Sequence, residues 1–188
     1  MAQGTVASRA DLPTPARLKS HWGYLWARHH TNQTLVGRTG TLETALAQKK
    51  GNVQYGALPY AVGSDGELRI LLVTSRGTRR WIIPKGWPMA GKKPHEVAAI
   101  EAFEEAGVRG KAKKKPLGYF TYLKTLDNGQ RAPCCVQVHL LNVKESCDVF
   151  REKGQRQTEW VSCVEAARRV REPELKGLFL SMQQVVFS

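Results

Sequence analysis

The pattern of hydrophobic and polar positions predicts six extended segments in the part of the chain that follows residue 54. They are Tyr55–Val62, Leu68–Thr74, Arg79–Pro84, Leu117–Leu126, Pro133–Val143 and Thr158–Ser162. The first two flank a turn at Gly63–Gly66, and the fourth and fifth flank Asp127–Gln130, which contains the hairpin-type pair Asn128-Gly129. Both pairs are therefore predicted to form hairpins.

One central helix and two closing helices are predicted around these strands. Pro94 is typical of a first helical residue and Gly107 of a helix end, and His95–Ala106 between them is rich in Ala and Glu. Glu165–Arg171 and Glu174–Val185 are the predicted closing helices. This order indicates an α+β fold, an α/β/α sandwich with a mixed central sheet between helices.

Three glutamates of the central helix share one helix face. At about 100° per residue, Glu101, Glu104 and Glu105 fall within an arc of roughly 100°. The opposite side is expected to pack against the sheet through Ala99, Ala102, Phe103 and Ala106. Carboxylates about 5 Å apart repel by about 3 kcal/mol per pair at an effective dielectric constant near 20. Mg²⁺ or Mn²⁺ would reverse that repulsion, since both accept oxygen ligands, whereas the alternative is a solvated helix face.

Residues 1–52 differ in composition from the rest of the chain. They contain seven Lys and Arg residues against Asp11 and Glu43, and Leu18, Trp22 and Leu25 recur at helix-like spacing. We interpret them as a basic N-terminal extension containing one short amphipathic helix, the alternative being a surface tail without a specific role. Residues 53–188 are predicted to form the folded domain.

The net charge of +13 over 188 residues favours anionic partners, which include phosphorylated small molecules, nucleic acid and acidic membranes. No run of about 18 apolar residues occurs, which excludes an ordinary transmembrane helix, so no membrane association is expected. The four cysteines lack the paired spacing of a zinc site and suit a reducing cytosol. A cytoplasmic location is expected, although the basic N-terminus leaves a transit peptide open.

The stretch from Gly86 to Val108 resembles the Nudix box, G-x5-E-x7-R-E-U-x-E-E-x-G-U, in which U is apolar. Type and spacing agree at Gly86, Glu101, Ala102, Glu104, Glu105, Gly107 and Val108. The resemblance covers roughly Tyr55–Met182. Three further stretches are similar to the diphosphoinositol and diadenosine polyphosphate hydrolase branch: Trp81–Pro84, Gly118–Phe120 and Thr158–Val161.

The resemblance implies that residues 53–188 are a Nudix hydrolase domain with the Nudix fold. It implies a Mg²⁺-dependent pyrophosphohydrolase, with Mn²⁺ as the other candidate ion, acting on a dinucleoside polyphosphate, a diphosphoinositol polyphosphate or a related nucleoside diphosphate derivative. Glu101, Glu104 and Glu105 would be catalytic. Glu101 and Glu105 would bind the metal together with the main-chain carbonyl of Lys85, and Glu104 would accept the proton of the attacking water.

Two positions depart from the box. Lys92 stands where the box has its first glutamate, and Ile100 stands where it has an arginine that helps to orient the catalytic glutamates in this family. A contact between Lys92 and the glutamates would be one way to compensate for these losses. The departures also motivate the alternative function, a catalytically weak or inactive Nudix-scaffold protein that binds nucleotide or polyphosphate.

Cations beside the box are predicted to meet the substrate, because one lysine cannot balance a polyphosphate chain. The predicted substrate-binding residues are Arg79, Arg80, Lys85, Gly86, Trp87 and Lys92, with Trp87 placed to stack on a base. Trp81 and Trp160 are expected in the core, and the run Lys111–Lys115 is interpreted as a solvated tip. A nucleic-acid partner is disfavoured, because no RNA-binding module is recognisable, and the oligomeric state is open.

Overall fold

The computed structural model describes residues 52–125 and 129–187. The predicted N-terminal extension and Asn128 of the predicted hairpin turn lie outside these residues. The elements, in chain order, are β1 (Val53–Val62), β2 (Leu68–Thr74), β3 (Trp81–Ile82), β4 (Lys85–Gly86), α1 (Pro94–Ala106), β5 (Val108–Ala112), β6 (Gly118–Thr125), β7 (Arg131–Ser146), β8 (Thr158–Ser162), α2 (Cys163–Arg169) and α3 (Pro173–Phe187).

The strands form one mixed sheet with β1 and β7 side by side near its centre. The main order is β3-β2-β1-β7-β5, while β4 pairs with β1, β6 with β7 and β8 with β2. β1 and β7 run parallel, from Val53 opposite Cys135 to Tyr60 opposite Asn142. The other pairs are antiparallel, among them the predicted β1–β2 and β6–β7 hairpins. The predicted α+β fold with a mixed sheet is confirmed.

β5 is a strand that the sequence pattern did not reveal. It alternates buried Val108 and Ala112 with exposed Arg109 and Lys111, so basic side chains conceal its period of two. It pairs with the end of β7, which continues to Ser146 and is therefore longer than predicted. The rest of the basic run follows β5 as an exposed segment.

α1 begins and ends where predicted, but it packs with a different face. Its buried residues are Val97, Ala98, Glu101, Ala102, Glu105 and Ala106, whereas Ala99 and Phe103 are only partly buried. Glu101 and Glu105 continue the row that Val97 begins at intervals of four residues, beside the alanine row. The predicted separation of an acidic face from a packed face is therefore wrong. Two of the three glutamates lie at the edge of the packed face.

Helices cover both faces of the sheet. α1 packs against β1, β4, β5 and β7, while α2 and α3 pack against β2, β6 and β8. Ile70–Thr74 are buried without interruption, which requires cover on both sides of β2. α2 starts two residues earlier than predicted because Ser162 caps it, accepting a 3.2 Å hydrogen bond from Glu165 N. Among the helices that the structure describes, none is long and apolar enough to cross a membrane.

Candidate functional site

The carboxyl group of Glu101 lies against the backbone of β4. A Cβ built on Gly86 would fall 1.8 Å from Glu101 Oε1, so any side chain at position 86 would displace the carboxyl group. Glu101 is 9% exposed. Burial raises its pKa to about 7, and the carboxylates of Glu105, Glu104 and Glu152 act in the same direction. The residue thus sits where a positive charge would stabilise it most.

Glu105 is held at both carboxylate oxygens. Its Oε2 accepts a hydrogen bond of 3.2 Å from the backbone N–H of Lys85, and its Oε1 accepts one from Nη2 of Arg156. The Glu105 and Arg156 side chains are each only 7% exposed. Burial raises the pKa of Glu105, while Arg156 and Lys85 oppose that rise. The pair therefore forms a buried junction between α1 and the chain that precedes β8.

That chain, residues 147–157, is the connection between β7 and β8, and we call it the 147–157 loop. Its backbone docks on the end of α1, since Cys147 N donates to Gly107 O at 2.7 Å and Glu152 N donates to Glu104 O at 3.0 Å. The Glu104 carboxylate accepts a hydrogen bond of 2.8 Å from Nη1 of the exposed Arg151. The third glutamate of α1 is therefore partly exposed beside this loop.

The three glutamates share one helix end but not one point in space. Across residues 52–125 and 129–187, no three His, Cys, Asp or Glu side chains are grouped closely enough to hold a metal ion as they stand. The predicted convergence of the three carboxylates on one ion is therefore not present in this arrangement. Glu104 pairs with Arg151, and Glu105 pairs with Arg156. The four carboxylates that influence one another here, those of Glu101, Glu104, Glu105 and Glu152, nevertheless provide only oxygen ligands.

Beside the glutamates lies a set of cations and aromatic rings that we call the cationic patch: Arg80, Lys85, Trp87, Tyr122 and Lys124. Lys85 Nζ and Arg80 Cζ lie 5.1 and 5.3 Å from the Tyr122 ring centroid, and Lys124 Nζ lies 5.1 Å from that of Trp87. Burial lowers the pKa of Lys85, and the nearby charges of Lys124 and Arg80 lower it further. An anion at this patch would relieve that repulsion.

The predicted substrate-binding residues separate into two groups. Lys85, Gly86 and Trp87 lie at β4 beside the glutamates, and Trp87 is 40% exposed. Arg80 also belongs to the cationic patch, but its guanidinium pairs with the buried Glu172 of the segment before α3. Arg79 points elsewhere, donating to Gln155 O at 2.6 Å, and is thereby committed to the 147–157 loop.

Lys92 lies in the exposed segment before α1. Its backbone N–H donates to Met89 O at 3.1 Å, and within the described part of the chain its ammonium group forms no ion pair with a carboxylate. The suggested contact between Lys92 and the glutamates is therefore not formed. The guanidinium groups that reach them are those of Arg151, at Glu104, and Arg156, at Glu105.

The chain is similar in sequence to known proteins. No family model matches the chain. It is 31% identical over 143 residues to Nudix hydrolase 18, mitochondrial, of Arabidopsis thaliana, an alignment that covers 70% of this chain and 76% of that protein. The chain belongs to the Nudix hydrolase family. Another Nudix relative from the same plant, Nudix hydrolase 13, mitochondrial, is 28% identical over 128 residues, covering 59% of this chain and 63% of that relative.

The chain also has the Nudix fold. It superposes on a crystal structure of C. elegans Ap4A hydrolase with a TM-score of 0.51 at 17% sequence identity, covering 70% of this chain and 96% of that one. The matched Gly86 and the three glutamates of the Nudix box thereby lie on a Nudix scaffold, while Lys92 and Ile100 are this chain's departures from the box.

Several residues beside the Nudix box were not identified from the sequence. Tyr122 and Lys124 are two residues apart on β6 and so lie on one face of the strand, but an alternating strand offers many such pairs. Arg151, Glu152 and Arg156 come from the 147–157 loop, some 50 residues after α1, where no local pattern connects them with the helix. The available signal was indirect, since buried glutamates without the box arginine require a cation from elsewhere.

Proposed function

We propose that this Nudix hydrolase is a Mg²⁺-dependent pyrophosphohydrolase that cleaves a phosphoanhydride in a dinucleoside polyphosphate, a diphosphoinositol polyphosphate or a related nucleoside diphosphate derivative. One observation carries the proposal, namely that the glutamates of α1 adjoin the cationic patch. Lys85 joins the two, since its N–H donates to Glu105 while its ammonium group lies over Tyr122. A polyphosphate placed there would find cations along its length and carboxylates at one end.

The donor set suits Mg²⁺, or Mn²⁺ in its place. Carboxylate oxygens are the ligands that these ions prefer, and the buried Glu101 already lies among like charges that a cation would neutralise. Glu101, Glu105 and the main-chain carbonyl of Lys85 would hold the ion. The bound ion would neutralise phosphate charge and lower the pKa of a coordinated water.

The residues of the chain have separate parts in the reaction. Lys85 and Lys124 would neutralise the phosphate chain, and Trp87, exposed beside them, would stack on a base of the substrate. Glu104 would accept the proton of the water that attacks phosphorus, and its partial exposure would allow that proton to leave for solvent. Catalysis would come mainly from positioning and charge stabilisation.

The test is a panel of phosphoanhydrides supplied with Mg²⁺ or Mn²⁺, with the products identified by mass spectrometry. A dinucleoside polyphosphate is the first substrate to try, because the C. elegans protein of this fold is an Ap4A hydrolase. We expect Glu104→Gln to lower kcat at least about a hundredfold, as removal of a general base does.

Glu67→Gln is the matched control, since Glu67 is exposed in the turn between β1 and β2 and far from α1 in sequence. Full activity in the Glu104→Gln variant would reject its assigned role. Saturable binding of a polyphosphate without any product, with either metal, would instead support the alternative of a binding protein built on the Nudix scaffold.

A further inference from the structure

Arg156 makes three contacts with the site, and each uses a different nitrogen of its guanidinium group. Nη2 donates to Glu105 Oε1, Nε donates to Glu152 Oε2 at 2.5 Å, and Nη1 donates to the carbonyl of Thr74 at 2.9 Å. The plane of a guanidinium group fixes the directions of these bonds relative to one another. Arg156 therefore sets the position of Glu105 and does more than supply charge.

The backbone that carries Arg156 is itself fixed by the sheet. Thr74 N donates to Gln157 O at 2.9 Å, and Gln157 N donates to Thr74 Oγ1 at 3.0 Å. β8 begins at the next residue and pairs with β2, with Thr158 opposite Val73. Arg156 thus stands at the rim of the sheet, opposite the acidic end of α1, and can hold a carboxylate of the helix at constant distance from the sheet.

The helix lacks the cation that this family places within the box. Ile100 occupies that position, and an isoleucine side chain donates no hydrogen bond. Glu105 is nevertheless buried as one member of an ion pair, which requires a cation from outside the helix. Arg156 is that cation.

We propose that Arg156 is the positioning residue for Glu105, supplying from the 147–157 loop the guanidinium group that the arginine of the Nudix box pattern would supply from the helix. Arg156 would act through Glu105 rather than on the substrate. It holds Glu105 Oε1, while Lys85 N–H holds Oε2, so that the carboxylate is oriented before an ion arrives. The inference rests on the proposed function only in that Glu105 binds the metal ion.

The test compares three variants of the full chain. Arg156→Gln removes both the positive charge and the planar guanidinium group. Arg156→Lys keeps the charge but cannot donate to all three acceptors. Arg169→Gln is the matched control, because Arg169 also bridges two carboxylates, those of Glu159 and Glu165, away from the glutamates of α1. Thermal unfolding identifies variants that fail to fold, and Arg156→Lys carries the test if Arg156→Gln is one of them.

The first measurement is the affinity for Mn²⁺ without substrate, from the electron paramagnetic resonance of free Mn²⁺. The direction in which the Kd for Mn²⁺ changes distinguishes two roles of Arg156. If Arg156 only contributed charge, removing a cation beside the site would tighten Mn²⁺ binding. If Arg156 positions Glu105, we expect Arg156→Gln and Arg156→Lys to raise the Kd at least about tenfold, as loss of a partner of a metal ligand does. Arg169→Gln should leave the Kd unchanged.

The second measurement is the separation of kcat from KM, together with rescue. We expect both Arg156 variants to lower kcat by about tenfold or more with little change in KM, since binding of the phosphate chain is left intact. Adding Ile100→Arg to Arg156→Gln should recover most of the Mn²⁺ affinity, because it returns the guanidinium group to the helix.

Three outcomes would overturn the proposal: unchanged or tighter Mn²⁺ binding in the folded Arg156 variants, losses matched by Arg169→Gln, or no recovery on adding Ile100→Arg. These outcomes are distinct from failure of the proposed function. If the wild-type chain binds Mn²⁺ but hydrolyses no phosphoanhydride, the proposed function fails while the Mn²⁺ measurement still decides the role of Arg156.

Discussion

At the scale of single residues, the site places charges where water does not stabilise them. Glu101 lies against Gly86 among three other carboxylates, and burial with their repulsion raises its pKa from 4.5 to about 7. Lys85 is shifted in the opposite sense, since burial and neighbouring cations lower its pKa. Each group would be stabilised by the charge that a metal–phosphate complex brings, an ion for Glu101 and an anion for Lys85.

The burial of Glu101 predicts that the free energy of unfolding of the metal-free protein depends on pH. Below about pH 4.5 Glu101 is protonated in both the folded and the unfolded state, and above about pH 7 the folded state carries the buried charge. The Glu101 contribution to the free energy of unfolding should therefore fall as the pH rises between these values. At about 1.4 kcal/mol per pKa unit, we expect a loss on the order of 3 kcal/mol, or about 6–12 °C in Tm.

Glu101→Gln lacks that titration, so in EDTA its Tm relative to the wild type should be higher at pH 8 than at pH 5. Thermal unfolding at both pH values checks this, with Glu67→Gln as the exposed control. Parallel Tm differences at the two pH values would show that Glu101 does not titrate as described.

At the scale of elements, the end of α1 and the 147–157 loop form one unit. Gly107 ends the helix in the left-handed region, with φ 68°. A Cβ added at Gly107 would fall 2.4 Å from Cδ1 of Phe150, so the loop packs directly on the helix end. The same loop carries Arg151, Glu152 and Arg156. Gly107 of the Nudix box therefore both ends the helix and leaves room for Phe150 of the loop to pack on it.

Gly107→Ala is expected to destabilise the protein and to lower its activity. The left-handed backbone alone costs about 1–2 kcal/mol for a residue with a Cβ, and displacement of Phe150 adds to that cost. Gly66→Ala is the matched control, because Gly66, in the turn between β1 and β2, has φ 79° but no atom within 4 Å of an added Cβ. Denaturant unfolding and kcat measure the two effects.

We expect Gly66→Ala to lose stability through backbone strain alone and to keep its kcat, while Gly107→Ala loses more stability and also loses turnover. Equal losses in the two variants would mean that the seating of the loop does not affect the site.

The limits of sequence inference also lie at this scale. The central helix, both hairpins and Gly86 were predictable, because caps, turns and the box are local patterns. β5 was missed because a basic run covers its alternation, and the packed face of α1 was misjudged because it includes two buried glutamates, Glu101 and Glu105, a residue type that is rarely buried. The contacts of Arg156 could not be predicted, since they depend on the register of β8 against β2.

At the scale of the whole molecule, the residues of the described site span the sequence from Gln54 to Glu172. Gln54 Oε1 accepts a 2.7 Å hydrogen bond from Tyr122, and Glu172 pairs with Arg80. The carbonyl of Asn52 accepts a 2.9 Å hydrogen bond from Cys135 N. We propose that residues 53–188 form the domain that carries the activity, with residues 1–52 as a basic extension. Asn52 should be kept when the extension is removed.

A chain that starts at Asn52 should therefore fold and keep a kcat within about twofold of that of the full chain, since no side chain assigned to the reaction is lost. Its KM for a polyphosphate should depend less on salt, because seven basic residues are removed with only two acidic ones. Circular dichroism and steady-state kinetics at two ionic strengths check both points. Loss of folding or of turnover would move the domain boundary towards the N-terminus.

The parallel pairing of β1 with β7 has a consequence for synthesis of the protein. Val53 meets Cys135 in that pairing, so the centre of the sheet joins residues that leave the ribosome far apart in time. Arg156 emerges later still. A nascent chain released before that point would contain the glutamates of α1 without the arginine that pairs with Glu105. We expect such a chain to be bound by chaperones rather than to be active.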